Sequence, residues 1–223
     1  MNFDDYADSY YRDLQEQETI FGFFASNRDY FIKYKIDLLT SNINIQPKSI
    51  LDFGCGVGLS LPYLLNNFPK ANISATDISE SSLSIVSNLH PYVDIIPDQQ
   101  LHNNLFDLIL CSGVFHHIPV DERLAVLRRL NGCLTSKGIL CIFEHNPYNP
   151  ITQKMISSCI FDQDAKLISR YNMEKMIKKI SFQISTSKYS LFFPQSFSYF
   201  RSLENYLGWI PLGGQYFILA RKN

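Results

Sequence analysis

The sequence predicts an α/β protein built on a mainly parallel, doubly wound sheet of about seven strands, with helices on both faces. Three observations carry that reading. Short apolar runs of strand length alternate with segments whose apolar residues recur at helical spacing. The stretch SILDFGCGVGL, residues 49–59, passes from a strand-like run through three alternate glycines into a helix start. An aspartate, Asp77, ends the next strand-like run, and sheets of this kind bind ligands beyond the carboxyl ends of their strands. The length of 223 residues suits a single domain, 1–223, with a sizeable core.

In chain order, residues 3–18 read as a polar, aromatic arm. Residues 26–41 read as an amphipathic helix on Phe31, Tyr34 and Leu38. Gln46-Pro47-Lys48 breaks the chain before the first strand, 49–53. A helix over 59–68 follows the glycines and tolerates Pro62 in its first turn. Residues 72–76 form the second strand, and Ser79 caps a helix carrying Leu83, Ile85, Val86 and Leu89. Strands at 93–96 and 106–111, a helix at 121–134 and a turn at Ser136-Lys137-Gly138 lead to a fifth strand, 139–143. The regularity then breaks at an insertion, 146–168. A helix at 172–180, a sixth strand within 182–193, an aromatic segment at 194–209 and a last strand at 215–220 complete the chain.

Composition removes several classes of function. The hydrophobic share is 46%, the mean hydropathy −0.07 and the formal net charge −1. No broad attraction to nucleic acid or anionic membrane follows, and no basic stripe is present. No run approaches the roughly 20 apolar residues that span a bilayer. The N-terminus lacks a secretion signal, so a cytoplasmic protein is expected. The five cysteines include no Cys-x-x-Cys pair, so reduced thiols are expected. With no clustered carboxylates or His-rich run either, no metal is expected.

In the glycine stretch, Gly54, Gly56 and Gly58 free the backbone for positive φ and for close approach by a ligand. The following helix start favours an anionic group. Asp77 is placed to accept both ribose hydroxyls of an adenosine-containing ligand, and Ile78 offers an apolar wall for adenine. Nicotinamide enzymes use similar parts. Here, however, the glycines are spaced Gly-x-Gly-x-Gly, not Gly-x-Gly-x-x-Gly, and Asp52 precedes them by two places.

Asp52, Gly54, Cys55, Gly56 and Gly58 in that stretch resemble the first motif of class I S-adenosylmethionine-dependent methyltransferases, and the resemblance extends over most of the chain. FDLILCSGVFHHI, residues 106–118, resembles the family's fourth motif. The resemblance implies a Rossmann-like sheet whose last strand runs antiparallel between the fifth and sixth. It implies S-adenosyl-L-methionine as cofactor and S-adenosyl-L-homocysteine as product. Asp98 resembles the position that accepts from the adenine amino group, although Gln99 stands where a small residue is usual. Cys111 to Gly113 would face the methionine part of the cofactor, with His116 beside it. Tyr10, in ADSYYRD, resembles an aromatic of the arm that folds over the cofactor within residues 1–45.

The resemblance points to the small-molecule branch, and EHNPYNP, 144–150, resembles members from cell-surface sugar or secondary-metabolite pathways. The acceptor is then a small molecule or glycan precursor, methylated on oxygen, with carbon and nitrogen as the alternative atoms. His145 is the preferred base and His116 the second. The acceptor pocket is placed under the arm, the 146–168 insertion and the aromatics Phe192, Phe193, Phe197, Tyr199 and Phe200, a stripe that more often is ordinary core. The competing readings are a nicotinamide-dependent oxidoreductase and a catalytically silent partner protein with the same fold.

Overall fold

A computed structural model describes Asp4, residues 29–159, Asp162 and residues 164–222. Tyr10 and most of the arm lie outside the described residues.

Seven strands form one sheet in the order β3-β2-β1-β4-β5-β7-β6. They are β1 (Ser49–Phe53), β2 (Asn72–Thr76), β3 (Asp94–Ile95), β4 (Phe106–Ser112), β5 (Leu134–His145), β6 (Phe182–Ser190) and β7 (Gln215–Lys222). The first five pair in parallel, while β7 runs antiparallel to both β5 and β6. This matches the expected class, including the reversed last strand.

Residues alternate across each strand, and both faces are apolar. On one face Ile50, Leu108, Cys141 and Phe217 meet α1 (Asp29–Asn42), α2 (Leu61–Asn67) and α3 (Glu80–Leu89) through Ile36, Leu39, Leu64 and Val86. On the other, Leu51, Ile109, Leu140 and Ile218 meet α4 (Arg123–Gly132) and α6 (Arg170–Lys179) through Leu127, Leu130, Met173 and Ile177. Ser79 caps α3 as expected, its hydroxyl accepting from the Ser82 N–H. Among the described residues no helix is long and apolar enough to cross a membrane.

Several expectations need correction. The helix predicted to run to Leu134 stops at Gly132, and the expected turn at Ser136-Lys137-Gly138 lies within β5. Leu134 already pairs with Phe106, and the register shifts before Ile139 pairs with Leu108. The turn-forming residues are therefore absorbed as an irregularity inside the strand. The sixth strand ends at Ser190, because Leu191 adopts φ 61° and turns the chain away. The insertion contains a helix, α5 (Pro150–Ser157), with the Asn149 side chain accepting from the N–H groups of Ile151 and Thr152. The aromatic segment is not core: Gln195–Leu203, a 3₁₀ stretch, has no buried residue, and Tyr199 is 71% exposed.

Candidate active site

A cavity of about 830 Å³ opens at the carboxyl ends of the parallel strands. That volume lies in the range of pockets that enclose a drug-sized molecule. The glycine loop and Asp77 form one end of it, the loop after β4 and the insertion the other, and α1 lies alongside.

At the first end the chain turns sharply after β1. Gly54 adopts φ +69°, and a Cβ there would stand 2.6 Å from Val114 Cγ2, so the position excludes any side chain. The N–H groups of Gly54 and Cys55 both donate to the Thr76 carbonyl, at 2.9 and 3.1 Å, which ties the loop to the end of β2. Asp77 completes the tie. Its carboxylate accepts from the Gly56 N–H at 2.8 Å and from the Ser79 N–H at 3.0 Å. These two bonds fix the carboxylate against the loop and leave further lone pairs for a ligand. Ile78, 72% exposed, projects beside it.

Asp52 is 2% exposed and accepts from the Ser60 hydroxyl. Burial raises its pKa to about 6, against the lowering effect of that hydrogen bond. Lys35 was not anticipated from the sequence. Its ammonium donates to Ser112 Oγ at 2.9 Å and faces Asp52 and Glu144, with burial drawing its pKa down to about 8. The signal was present: Lys35 lies three residues after Ile32 and four before Leu39, on the apolar stripe of α1.

Other expected cofactor residues are placed less directly. Asp98 lines the cavity, but Arg129 holds both its oxygens, at 2.6 and 2.8 Å. Gln99 is exposed and away from the cavity. Cys111 is fully buried in the core beneath β4. Gly58, at φ +80°, packs against Leu61 and Val86 and does not line the cavity.

At the second end three histidines converge. Glu144, at the end of β5, accepts from the Phe115 N–H and from His116 Nδ1, both at 2.7 Å. An ionised carboxylate only accepts, so Nδ1 carries the hydrogen. Glu144 is thus bound to His116 and not to His145, its neighbour in sequence. His116 Nε2 and His117 Nε2 each lie 3.3 Å from Asp162 Oδ1. Burial opposes a charge on His116, but Glu144 and Asp162 outweigh it and raise its pKa to about 9. Burial and the adjacent His116 charge lower the pKa of His145 to about 3. His145 therefore stands neutral in the wall, its ring 5.2 Å from that of His116. Asp162 was not foreseen, nor was the gathering of His116, His117 and Asp162 into a set able to hold a metal ion. The sequence carried no sign of it, because Asp162 lies 45 residues beyond His117.

The roof over α1 is held by one carboxylate. Glu204 accepts from the N–H groups of Leu191, Phe192 and Phe193 and from the Tyr34 hydroxyl. Phe192 and Phe193 consequently line the cavity.

Comparison with known proteins agrees with this geometry. A family model described as a methyltransferase domain matches residues 51–140. A SAM-dependent methyltransferase from Archaeoglobus fulgidus superposes with a TM-score of 0.70 at 14% identity, covering 96% of this chain and 100% of that one. Dinucleotide sheets of the order 3-2-1-4-5-6 have no reversed β7 between the fifth and sixth strands. The chain has the fold of class I S-adenosylmethionine-dependent methyltransferases. The plantazolicin methyltransferase BpumL, solved in complex with SAH, shares this methyltransferase fold. Its TM-score is 0.66 at 18% identity, over 100% of this chain and 95% of that one. Among curated proteins, a malonyl-[acyl-carrier protein] O-methyltransferase of Halalkalibacterium halodurans is 28% identical over 112 residues, which is 46% of this chain and 41% of the relative. The chain spans less than half the length of the curated relatives it matches.

Proposed function

We propose that the protein transfers a methyl group from S-adenosylmethionine to an oxygen of a small-molecule acceptor. The observation that carries this reading is the single cavity, which joins the glycine loop and Asp77 to the histidine cluster. The bound cofactor supplies a methyl group already activated on a sulfonium. Asp77 accepts from the ribose hydroxyls, its orientation preset by Gly56 and Ser79. Ile78 covers one face of the adenine. Asp98, held by Arg129, stands near the heterocycle's edge. Lys35 is the cation for the cofactor's carboxylate, and the buried Asp52 complements its positive groups. Thr76 Oγ1 is buried without a hydrogen-bond partner beside this end of the cavity, as expected of a site completed by a ligand.

Held in this cavity, donor and acceptor gain from orientation alone an effective molarity on the order of 10⁵–10⁸ M. Little proton chemistry is then required. His145, with its pKa drawn to about 3, is a weak proton acceptor, and His116 is already protonated at neutral pH. Both serve better as hydrogen-bonding wall than as base, which favours an acceptor whose oxygen is already anionic. The curated relative named an O-methyltransferase supports oxygen as the methylated atom.

The test is calorimetric titration with S-adenosylhomocysteine and, separately, NADH, followed by a screen of carboxylate and enol acceptors for release of S-adenosylhomocysteine. Saturable binding of the thioether with no NADH binding is expected. NADH binding alone would replace the reading with hydride transfer.

A further inference from the structure

The methyl-transfer reading leaves one cluster unexplained. His116, His117 and Asp162 each offer a ligand atom on the cavity wall, and these three atoms lie within 4.8 Å of one another. We propose that these three side chains form a binding site for a divalent transition-metal ion at the acceptor end of the cavity.

The spacing is the first argument. Both nitrogens stand 3.3 Å from the same carboxylate oxygen, longer than the roughly 2.7–2.9 Å of a charge-assisted N–H···O bond. Donor atoms each about 2.1 Å from a metal are separated by about 3.0 Å at a right angle and about 3.4 Å at the tetrahedral angle. The two nitrogen–oxygen separations of 3.3 Å fall between those two values.

The second argument is the support behind the cluster. Glu144 takes the hydrogen on His116 Nδ1 at 2.7 Å and is itself fixed by the Phe115 N–H at 2.7 Å. This carboxylate–histidine arrangement keeps one hydrogen on Nδ1, as it does behind metal-binding histidines, so Nε2 faces the site and offers its lone pair once a metal ion displaces the proton that His116 carries there at neutral pH. His116 and Glu144 are 3% and 2% exposed, so the geometry is enforced by packing. Backbone bonds hold the opposite wall: the Lys166 N–H donates to the His116 carbonyl at 2.8 Å, next to the segment that carries Asp162.

Two imidazoles and one carboxylate suit zinc, iron(II), cobalt(II) or nickel(II) in preference to magnesium or calcium, which favour oxygen donors. Three protein ligands leave coordination positions open toward the cavity. Asp162 and Asp52 line the cavity, and their carboxylates suit a sulfonium but repel an anionic acceptor. A divalent ion at this place reverses the local sign and gives such an acceptor an anchor. That role rests on the methyl-transfer reading, whereas the metal site itself does not.

The protein is stripped with chelator and titrated with cobalt(II), followed by visible absorption, and with zinc(II), followed by calorimetry. One equivalent of each is expected to bind, and the cobalt complex should show d–d bands in the visible. His117→Gln and Asp162→Asn should each weaken binding about 100-fold, and Glu144→Gln about 10–100-fold, whereas Asp164→Asn should leave it unchanged. Circular dichroism establishes that each variant is folded. Folded wild-type protein that takes up neither ion at millimolar concentration would overturn the site, as would binding that survives both His117→Gln and Asp162→Asn. S-adenosylhomocysteine titrated into the same stripped samples separates the two readings. Thioether binding without metal binding removes only the metal site, and metal binding without thioether binding removes only the donor site.

Discussion

Replacing Lys35 with methionine should change stability and cofactor affinity in opposite directions. The ammonium lies half-buried on α1 between the core and the cavity. Burial lowers its pKa from 10.5 to about 8, despite the favourable charges of Glu144 and Asp52. Each pKa unit corresponds to about 1.4 kcal/mol. Holding the lysine charged in the folded protein at neutral pH therefore costs at most about 3.5 kcal/mol, and about 1 kcal/mol once cavity water screens the charge. Lys35→Met removes that cost with a side chain of similar length. For a chain of this size the melting temperature without ligand should rise by about 2–10 °C.

The pH dependence fixes the sign. Between pH 8 and 10.5 the unfolded wild type keeps a proton that the folded protein has released, so wild-type stability rises with pH in that window. The advantage of Lys35→Met is thus complete below pH 8 and fades as pH approaches 10.5. Affinity should move the other way. Loss of a charge-assisted bond worth about 1.5–3 kcal/mol weakens S-adenosylhomocysteine binding about 10–150-fold. Differential scanning calorimetry across pH, paired with isothermal titration, reads both effects. A variant that melts lower than wild type at pH 7 and binds the thioether equally well would refute the assignment of Lys35.

Asp77→Asn turns one amide N–H₂ toward either the Gly56 or the Ser79 N–H, each of which now donates to a carboxylate oxygen. S-adenosylhomocysteine affinity should fall about 10–100-fold in a protein that remains folded, and unchanged calorimetric affinity would remove Asp77 from the ribose site. Gly54→Ala places a Cβ 2.6 Å from Val114 at φ +69°. Urea denaturation should show a loss of about 1–3 kcal/mol, and wild-type stability would contradict the tight loop. Asn146 is fully buried, donates to the carbonyls of Pro211 and Gly213 and accepts from the Tyr148 N–H. Asn146→Ala should cost about 2–4 kcal/mol; a thermal shift below about 2 °C would show that these bonds do not anchor the 146–168 segment to the loop before β7.

The sequence by itself determined the layered fold, the glycine turn and the place of Asp77, because each of these depends on local order. Strand-length apolar runs such as 106–111, positive φ at Gly54 and a carboxylate one residue past β2 are readable within a few residues of chain. The reversal of β7 between β5 and β6 came from the resemblance, since nothing local to residues 215–220 specifies which neighbours the strand will have. Elsewhere, long-range pairing overrode local signals. The Ser136-Lys137-Gly138 turn chemistry was absorbed into β5 by pairing with β4, and the aromatics at 197–200 were left on the surface.

Only the tertiary structure decided the partners of the charged groups. Asp98 met Arg129 across 31 residues, Glu144 met His116 across 28, and Asp162 reached the histidine pair from the insertion. A side chain's charge state and chemical use are set by whatever surrounds it within a few ångströms. For these residues, those neighbours come from distant elements brought together by the packing of helices and loops onto the sheet.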